Sequence, residues 1–239
     1  ITVPGTVMTT GITTITMADT ASPEALVRLM TWLSPAFPVG AFSYSGGLEQ
    51  AVAGGDVCDV GALRDWLASL LAHGTLWNDA VLFAEAHRSV EDGARLADVA
   101  TLSEALSSSA ERHRETMLQG EAFLAAAAGW PHPVLDMLGD AAAYPVAVGA
   151  VSGGHGIAAE TALAAYLHAV VSNLVSVAIR CGVIGQRDGV ATLAGLEARI
   201  LVLAAAASRS TLDDLGSAAV RADIASLKHE TLATRLFRS

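Results

Sequence analysis

Apolar residues recur every three or four positions along most of this chain, and almost nowhere at every second position. That spacing places them on one side of a helix, whereas a half-buried strand needs alternation. Leu63, Trp66, Leu67, Leu70 and Leu71 give one such face; Leu76, Val81, Leu82 and Phe83 give core positions for the next helix; Leu26, Val27, Met30 and Leu33 form a stripe on the first. Starts and stops agree with the period. Ser22 stands before Pro23 and Glu24, Asp59 before Val60, and Thr211 before Asp213 and Asp214, each a capping oxygen ahead of a favourable first turn. Pro35 and Pro38, Gly54 and Gly55, Gly74, and the Gly129-Trp130-Pro131 step close helices. Further helices are predicted over residues 47–53, 75–88, 96–106, 110–128, 158–182, 189–208 and 211–229. Residues 145–156 are apolar and glycine-rich, and so short a run reads equally as strand or buried helix, with Gly153, Gly154 and Gly156 marking a turn. The sum is about eight to ten helices and no secure strand, an all-α, single-domain helical bundle. Residues 1–20 lack helical periodicity and are expected to be a disordered extension, with Met17 as a natural start. Residues 21–239 form the helical domain, and residues 230–239 are expected to be a flexible tail.

Composition narrows the class. Of 239 residues 52% are hydrophobic and only 16% charged, so a disordered polar chain is excluded. The net charge of −10, with Lys228 as the sole lysine, argues against nucleic acid as a partner. Cys58 and Cys181 make no disulfide framework and suit a reducing cytoplasm. The mean hydropathy of +0.47 is high, and the uncharged run 161–179 would just span a bilayer. His168, Ser172, Asn173 and Ser176 interrupt that run, so no membrane insertion is expected. His168, Ser172, Ser176 and Arg180 fall four residues apart, a polar line on an otherwise apolar helix. The apolar circumference favours burial of that line against another helix or subunit, with Arg180 needing an acidic or carbonyl partner.

A search for catalytic chemistry returns little. No glycine-rich loop precedes Lys228, which excludes a P-loop, and neither a G-x-S-x-G elbow nor a dinucleotide fingerprint occurs. The seven histidines, His73, His87, His113, His132, His155, His168 and His229, lie too far apart in sequence to draw a local metal site. His155, in a glycine-rich turn, is the best candidate for a transient ligand or a switch. No catalytic residues, no cofactor and no resident metal are assigned. The apolar excess implies burial against other proteins.

One segment is more specific. Trp32-Leu33-Ser34-Pro35-Ala36-Phe37-Pro38-Val39-Gly40-Ala41-Phe42-Ser43-Tyr44-Ser45-Gly46-Gly47-Leu48-Glu49 resembles the N-terminal signature of the urease accessory protein UreF family. Residues 167–186, with Arg180, Gly185 and Gln186, are similar to that family's segment ending in an Arg and a G-Q step. Residues 234–239, with Arg235, Leu236, Phe237 and Arg238, are similar to its R-L-F-x-S terminus. Asn78-Asp79-Ala80 and residues 114–120 match more weakly, and the similarity runs from Pro23 to Ser239. Phe42 stands where the family often has Tyr.

The resemblance implies an all-helical homodimer that is not an enzyme. It implies binding to the accessory protein UreD (also called UreH) and recruitment of the GTPase UreG. Nickel would then be delivered to apo-urease in the cytoplasm, with nickel and GTP belonging to the assembly. It also implies that the C-terminal segment orders when a partner binds. Phe37, Phe42 and Tyr44 are then either interface anchors or core residues capping the first helices. Glu49 and Arg180 would supply buried polar contacts supporting the two motifs, and Gln186, Arg235, Leu236, Phe237 and Arg238 complete the expected partner-binding set. The other readings are a membrane-associated helical protein, or a small helical enzyme using His155 or Glu49.

Overall fold

A computed structural model describes residues 22–239. The expected extension 1–20, Met17 included, lies outside the described residues. The order is α1 (Pro23–Trp32), α2 (Leu48–Ala53), α3 (Val60–His73), α4 (Thr75–Arg88), α5 (Gly93–Ala105), α6 (Ala110–Ala127), α7 (Pro133–Leu138), α8 (Tyr144–Gly154), α9 (Ala159–Arg180), α10 (Gln186–Ala207) and α11 (Val220–His229). No strand occurs among the described residues, and the all-α bundle read from the periodicity is the fold.

The caps behave as their chemistry requires. Ser22 accepts from the Ala25 amide, Asp59 from Ala62 and Ser109 from Arg112, each satisfying a donor that its helix cannot. α7, which the periodicity does not show, has its own signal: Pro133 opens it, and the His132 side chain accepts from Val134 N.

α4 and α8 form the centre. α4 buries every residue from Asp79 to Ala86, and α8 buries Tyr144 through Ser152. The two cross closely because Gly149 and Gly153 of α8 rest on the backbone of Phe83 and His87, where a Cβ would collide with a carbonyl oxygen. This approach, with Pro145 in the first turn, makes residues 145–154 helix and not strand. Gly153 and Gly154 are therefore helical, and Gly156, at φ +68°, makes the turn alone.

Three expectations change. α1 turns Ala25, Leu29 and Trp32 inward, while Leu26, Val27 and Met30 are exposed. The Trp32 ring decides the face, because it meets Phe123 and Trp130 edge-on at 6.4 and 5.7 Å. Residues 211–229 are not one helix. Thr211 and Asp214 cap a short 3₁₀ turn, Leu212–Asp214, and the chain then runs extended to α11. Gly74 breaks α3 from α4 and leaves the His73 carbonyl to accept from Ala218 and Ala219, while Asn78 Oδ1 accepts from Gly216. On α9, His168, Ser176 and Arg180 face outward and Ser172 is half-buried; the buried face is Leu163, Tyr166, Leu167, Val171, Leu174 and Val175 with their neighbours. By length and composition α9 and α10 could each cross a membrane, but half of the α9 stretch is consumed by this core.

Two histidines pin the loop after α8. His87 Nε2–H donates to Ile157 O at 2.7 Å. His155 accepts from Arg28 at Nδ1 and donates from Nε2 to Trp130 O, with the His132 ring 5.2 Å away. Burial, and then the neighbouring Arg88 or Arg28 cation, holds both imidazoles below their ordinary value.

Two outcomes are expected. Gly149→Ala should cost about 1–3 kcal/mol of unfolding free energy, read from the urea midpoint at unchanged slope. Because folding disfavours the charged form of His87 and His155, the unfolded chain binds more protons. Stability is therefore complete above the unfolded imidazole value, about 6.5, and falls as pH drops through the lower folded values. Midpoints measured from pH 8 to 5 should show this, and His87→Gln with His155→Gln should flatten the slope.

Candidate functional site

The N-terminal signature, the end of α9 and the C-terminus meet at one place. Its foundation is a turn that only glycine permits: Gly47 has φ +80°, and a Cβ there would lie 2.8 Å from the Ser226 amide of α11. This close approach seats α2 on α11 and aims Glu49 into the gap between them.

Glu49 is 7% exposed and fully engaged. Its Oε1 accepts from the Leu236 amide at 2.7 Å, and its Oε2 from the Phe237 amide at 3.1 Å and from His229 Nε2 at 3.0 Å. The other ring nitrogen of His229 lies 2.6 Å from Glu111 Oε2, and Glu111 Oε1 pairs with Arg235 at 2.5 Å. Residues 230–239, expected to be a flexible tail, are thus seated along the protein. Phe237 and Ser239 are buried, Arg238 N donates to Ser43 O, and Ser45 donates through both its amide and its hydroxyl to the Ser239 carbonyl. The local pattern alternates: Phe237 and Ser239 point in, while Arg235, Leu236 and Arg238 face out.

Arg180 completes the clamp from α9. Its guanidinium stacks 4.2 Å over the Phe237 ring and donates to the Phe42 carbonyl at 2.5 Å. The expected buried Arg180 is exposed, and its partner is a carbonyl with an aromatic face, not a carboxylate.

A second ion network lies one step deeper. Arg112 pairs with Asp79 at 2.6 Å and Glu115 at 3.3 Å; Glu115 also accepts from the Ser239 hydroxyl. Burial raises the Asp79 carboxyl despite Arg112, and burial opposes the Arg112 cation, but Asp79 and Glu115 overcome it and raise its value. Burial likewise raises the Tyr166 hydroxyl, which donates to Asp79 at 3.5 Å. These groups wall a cleft of about 540 Å³ between α1, the loop 34–42 and α9, and His168, Ser172 and Ser176 line its α9 side.

The expected site residues divide. Glu49, Arg180, Arg235, Leu236, Phe237 and Arg238 come together. Tyr44 and Phe37 take the core alternative: Tyr44 is buried, and Phe37 is half-buried on Phe123 and Trp130. Phe42 remains 66% exposed, as an anchor requires. Gln186 is exposed at the start of α10, away from the Glu49 contacts. His229, Glu111, Ser45 and Ser239 are missed by the sequence reading. For His229 a signal existed: Ala222, Ala225, Ser226 and His229 are spaced as one helical face of small residues, which puts the imidazole inside. No group of three His, Cys, Asp or Glu side chains able to hold a metal occurs among the described residues.

Arg180→Ala removes the stacking on Phe237 and the bond to Phe42. It is expected to lower stability by about 1–2 kcal/mol, with Arg180→Lys recovering part of that. Denaturant melts of the variants check this.

The family model UreF matches residues 57–197. The chain is 64% identical over 216 residues to the urease accessory protein UreF of Rhizobium johnstonii, covering 90% of this chain and 97% of the relative. It is 59% identical over 223 residues to that of Agrobacterium fabrum and 60% identical to that of Rhizobium meliloti, in both cases covering 93% of this chain and 100% of the relative. A family model over more than half the chain, and relatives this similar along their whole length, place it: the chain belongs to the UreF family of urease accessory proteins.

Proposed function

We propose that this accessory protein of urease maturation acts as a non-catalytic scaffold. It binds the accessory protein UreD/UreH and recruits the GTPase UreG, so that nickel reaches apo-urease. The observation that carries the reading is the seated C-terminal arm. Glu49, Arg180 and Ser45 hold Phe237 and Ser239 inside while Arg235, Leu236 and Arg238 face outward, so residues buried for order and residues displayed for contact alternate along one strand of chain. An outward apolar side chain between two arginines suits a partner surface that is apolar at its centre and acidic at its rim.

A second uncovered surface supports assembly. Leu26, Val27 and Met30 of α1 and Phe42 of the adjoining loop are 53%, 63%, 67% and 66% exposed. An apolar face of this kind in a protein with so few charges is covered in its working state, and a homodimer in the cytoplasm is the arrangement proposed. The chain contributes shape to the assembly; nickel is its cargo and GTP is the partner's substrate.

Removing residues 234–239 takes away the outward side chains and leaves α1 to α11 intact. The truncated chain is expected to keep its helical circular dichroism and to lose retention of the GTPase in a pull-down with UreD/UreH present. Normal retention by the truncated chain contradicts the reading.

A further inference from the structure

The cleft between α1, the loop 34–42 and α9 joins an apolar mouth to an acidic interior, and none of residues 230–239 lines it. At the mouth stand Leu26, Met30 and Phe42, each more than half exposed. The charged lining is three carboxylates, Asp79, Glu115 and Asp223, against one guanidinium, Arg112, with the His168 imidazole on the α9 side. The surplus is negative, inside low-dielectric walls that strengthen its field.

The interior also has acceptors to spare. Asp79 Oδ2 takes Arg112 at 2.6 Å and the Tyr166 hydroxyl at 3.5 Å, and no donor reaches Oδ1 among the described residues. That oxygen is not sealed in either: the fully buried side-chain atoms without a partner are Trp32 Nε1, Trp66 Nε1, Ser152 Oγ and Thr192 Oγ1. The Tyr144 hydroxyl is likewise open, and its ring lies 5.6 Å from that of Tyr166. Asp79 and Tyr144 both line the cleft, so these atoms open into it. Burial raises the Asp79 carboxyl in spite of Arg112, as expected where one cation does not fully match the charge. A metal ion needs several converging donors, and no group of three suitable side chains occurs among the described residues. A cation on an apolar stem needs less: one open carboxylate oxygen at the bottom and apolar walls above it.

We propose that this cleft receives a segment of a partner protein that carries a lysine or arginine among apolar residues. The cation meets Asp79, and its apolar neighbours cover Leu26, Met30 and Phe42. About 540 Å³ is more than one side chain fills, so a segment of chain suits it better than a free amine. A second copy is the poorer occupant, because a chain of net charge −10 brings mostly acidic surface to an acidic cleft; the homodimer proposed above leaves this mouth free. The inference rests on the scaffold role and describes one of its partners by chemistry: a basic, apolar segment, unlike the acidic-rimmed surface that suits the arm.

The test begins with the full chain alone. n-Butylguanidinium and its uncharged isostere n-butylurea are titrated while the ¹³C-methyl signal of Met30 is followed, assigned by its loss in Met30→Leu. The cation should bind at least about tenfold more tightly than the isostere, and Asp79→Asn should remove that preference. Ser172→Trp adds bulk to the half-buried α9 side of the cleft, leaves the ion network alone and should exclude both probes, so the site is tested even if Asp79→Asn does not fold. Equal binding of the two probes, or binding of neither, overturns the proposal. The second measurement uses the complete complex with UreD/UreH and the GTPase, in which the cation should be excluded from the wild-type cleft. A cation that still binds there overturns the proposal and leaves the scaffold role standing. Displacement of the cation merely by concentrating the lone chain also overturns it, since the occupant is then a second copy. A complex that fails to assemble sinks the scaffold role, while the cation preference of the cleft stands or falls on the lone chain.

Discussion

The carboxylate of Glu49 is where the chain closes on itself. A buried carboxylate is costly unless its oxygens are filled, and here they are filled by an imidazole from α11 and two amides of the C-terminal arm. The signature segment, the last helix and the terminus therefore cannot be placed independently. Gly47 lets α2 approach α11, that approach aims Glu49, and Glu49 fixes the line of the arm. Arg180 adds the outer wall by stacking on Phe237, and Ser239 carries the connection inward to Glu115 and the Arg112–Asp79 pair. A run of polar contacts thus crosses the molecule from an exposed arm to its buried centre.

This arrangement reconciles two features that look opposed in the composition. The chain is strongly apolar and sparsely charged, yet several of its few charges are buried. A core of alanine, valine and leucine packs well but specifies little, because many helix faces are interchangeable in it. The α4–α8 crossing selects one geometry through glycine contacts, and the ion networks select another through hydrogen bonds that only one docking satisfies. Exposed apolar side chains remain on α1, at Phe42 and on the arm, and also on α10 and α11, Val190, Leu201, Val202 and Val220 among them.

How much of this could be read in advance depended on sequence distance. Helix existence was legible wherever a cap preceded a periodic face, as at Ser22 and Asp59. The face a helix buries was legible for α3 but not for α1, where Leu26 and Val27 compete with Leu29 and Trp32 and only the distant Phe123 and Trp130 decide. The break at residues 215–219 depends on the His73 carbonyl, which no local pattern announces. In the site, the resemblance pointed to Glu49, Arg180 and the terminal residues. His229 and Glu111 escaped because their meaning lies in partners 180 and 118 residues away along the chain. The tail read as flexible because short polar termini usually are; its contacts are with Ser43, Ser45 and Glu49, far away along the chain, and no local pattern announces them.

The claim underlying this account is that Glu49 stabilises the protein largely by holding the arm. A double-mutant cycle isolates that coupling: unfolding free energies are measured for the full chain, for Glu49→Ala, for the chain lacking residues 234–239, and for the two changes combined. If the carboxylate acts through the arm, Glu49→Ala costs much less in the truncated chain than in the full one, with a coupling of at least about 1 kcal/mol. Equal costs in the two backgrounds, with the changes simply adding, would contradict it.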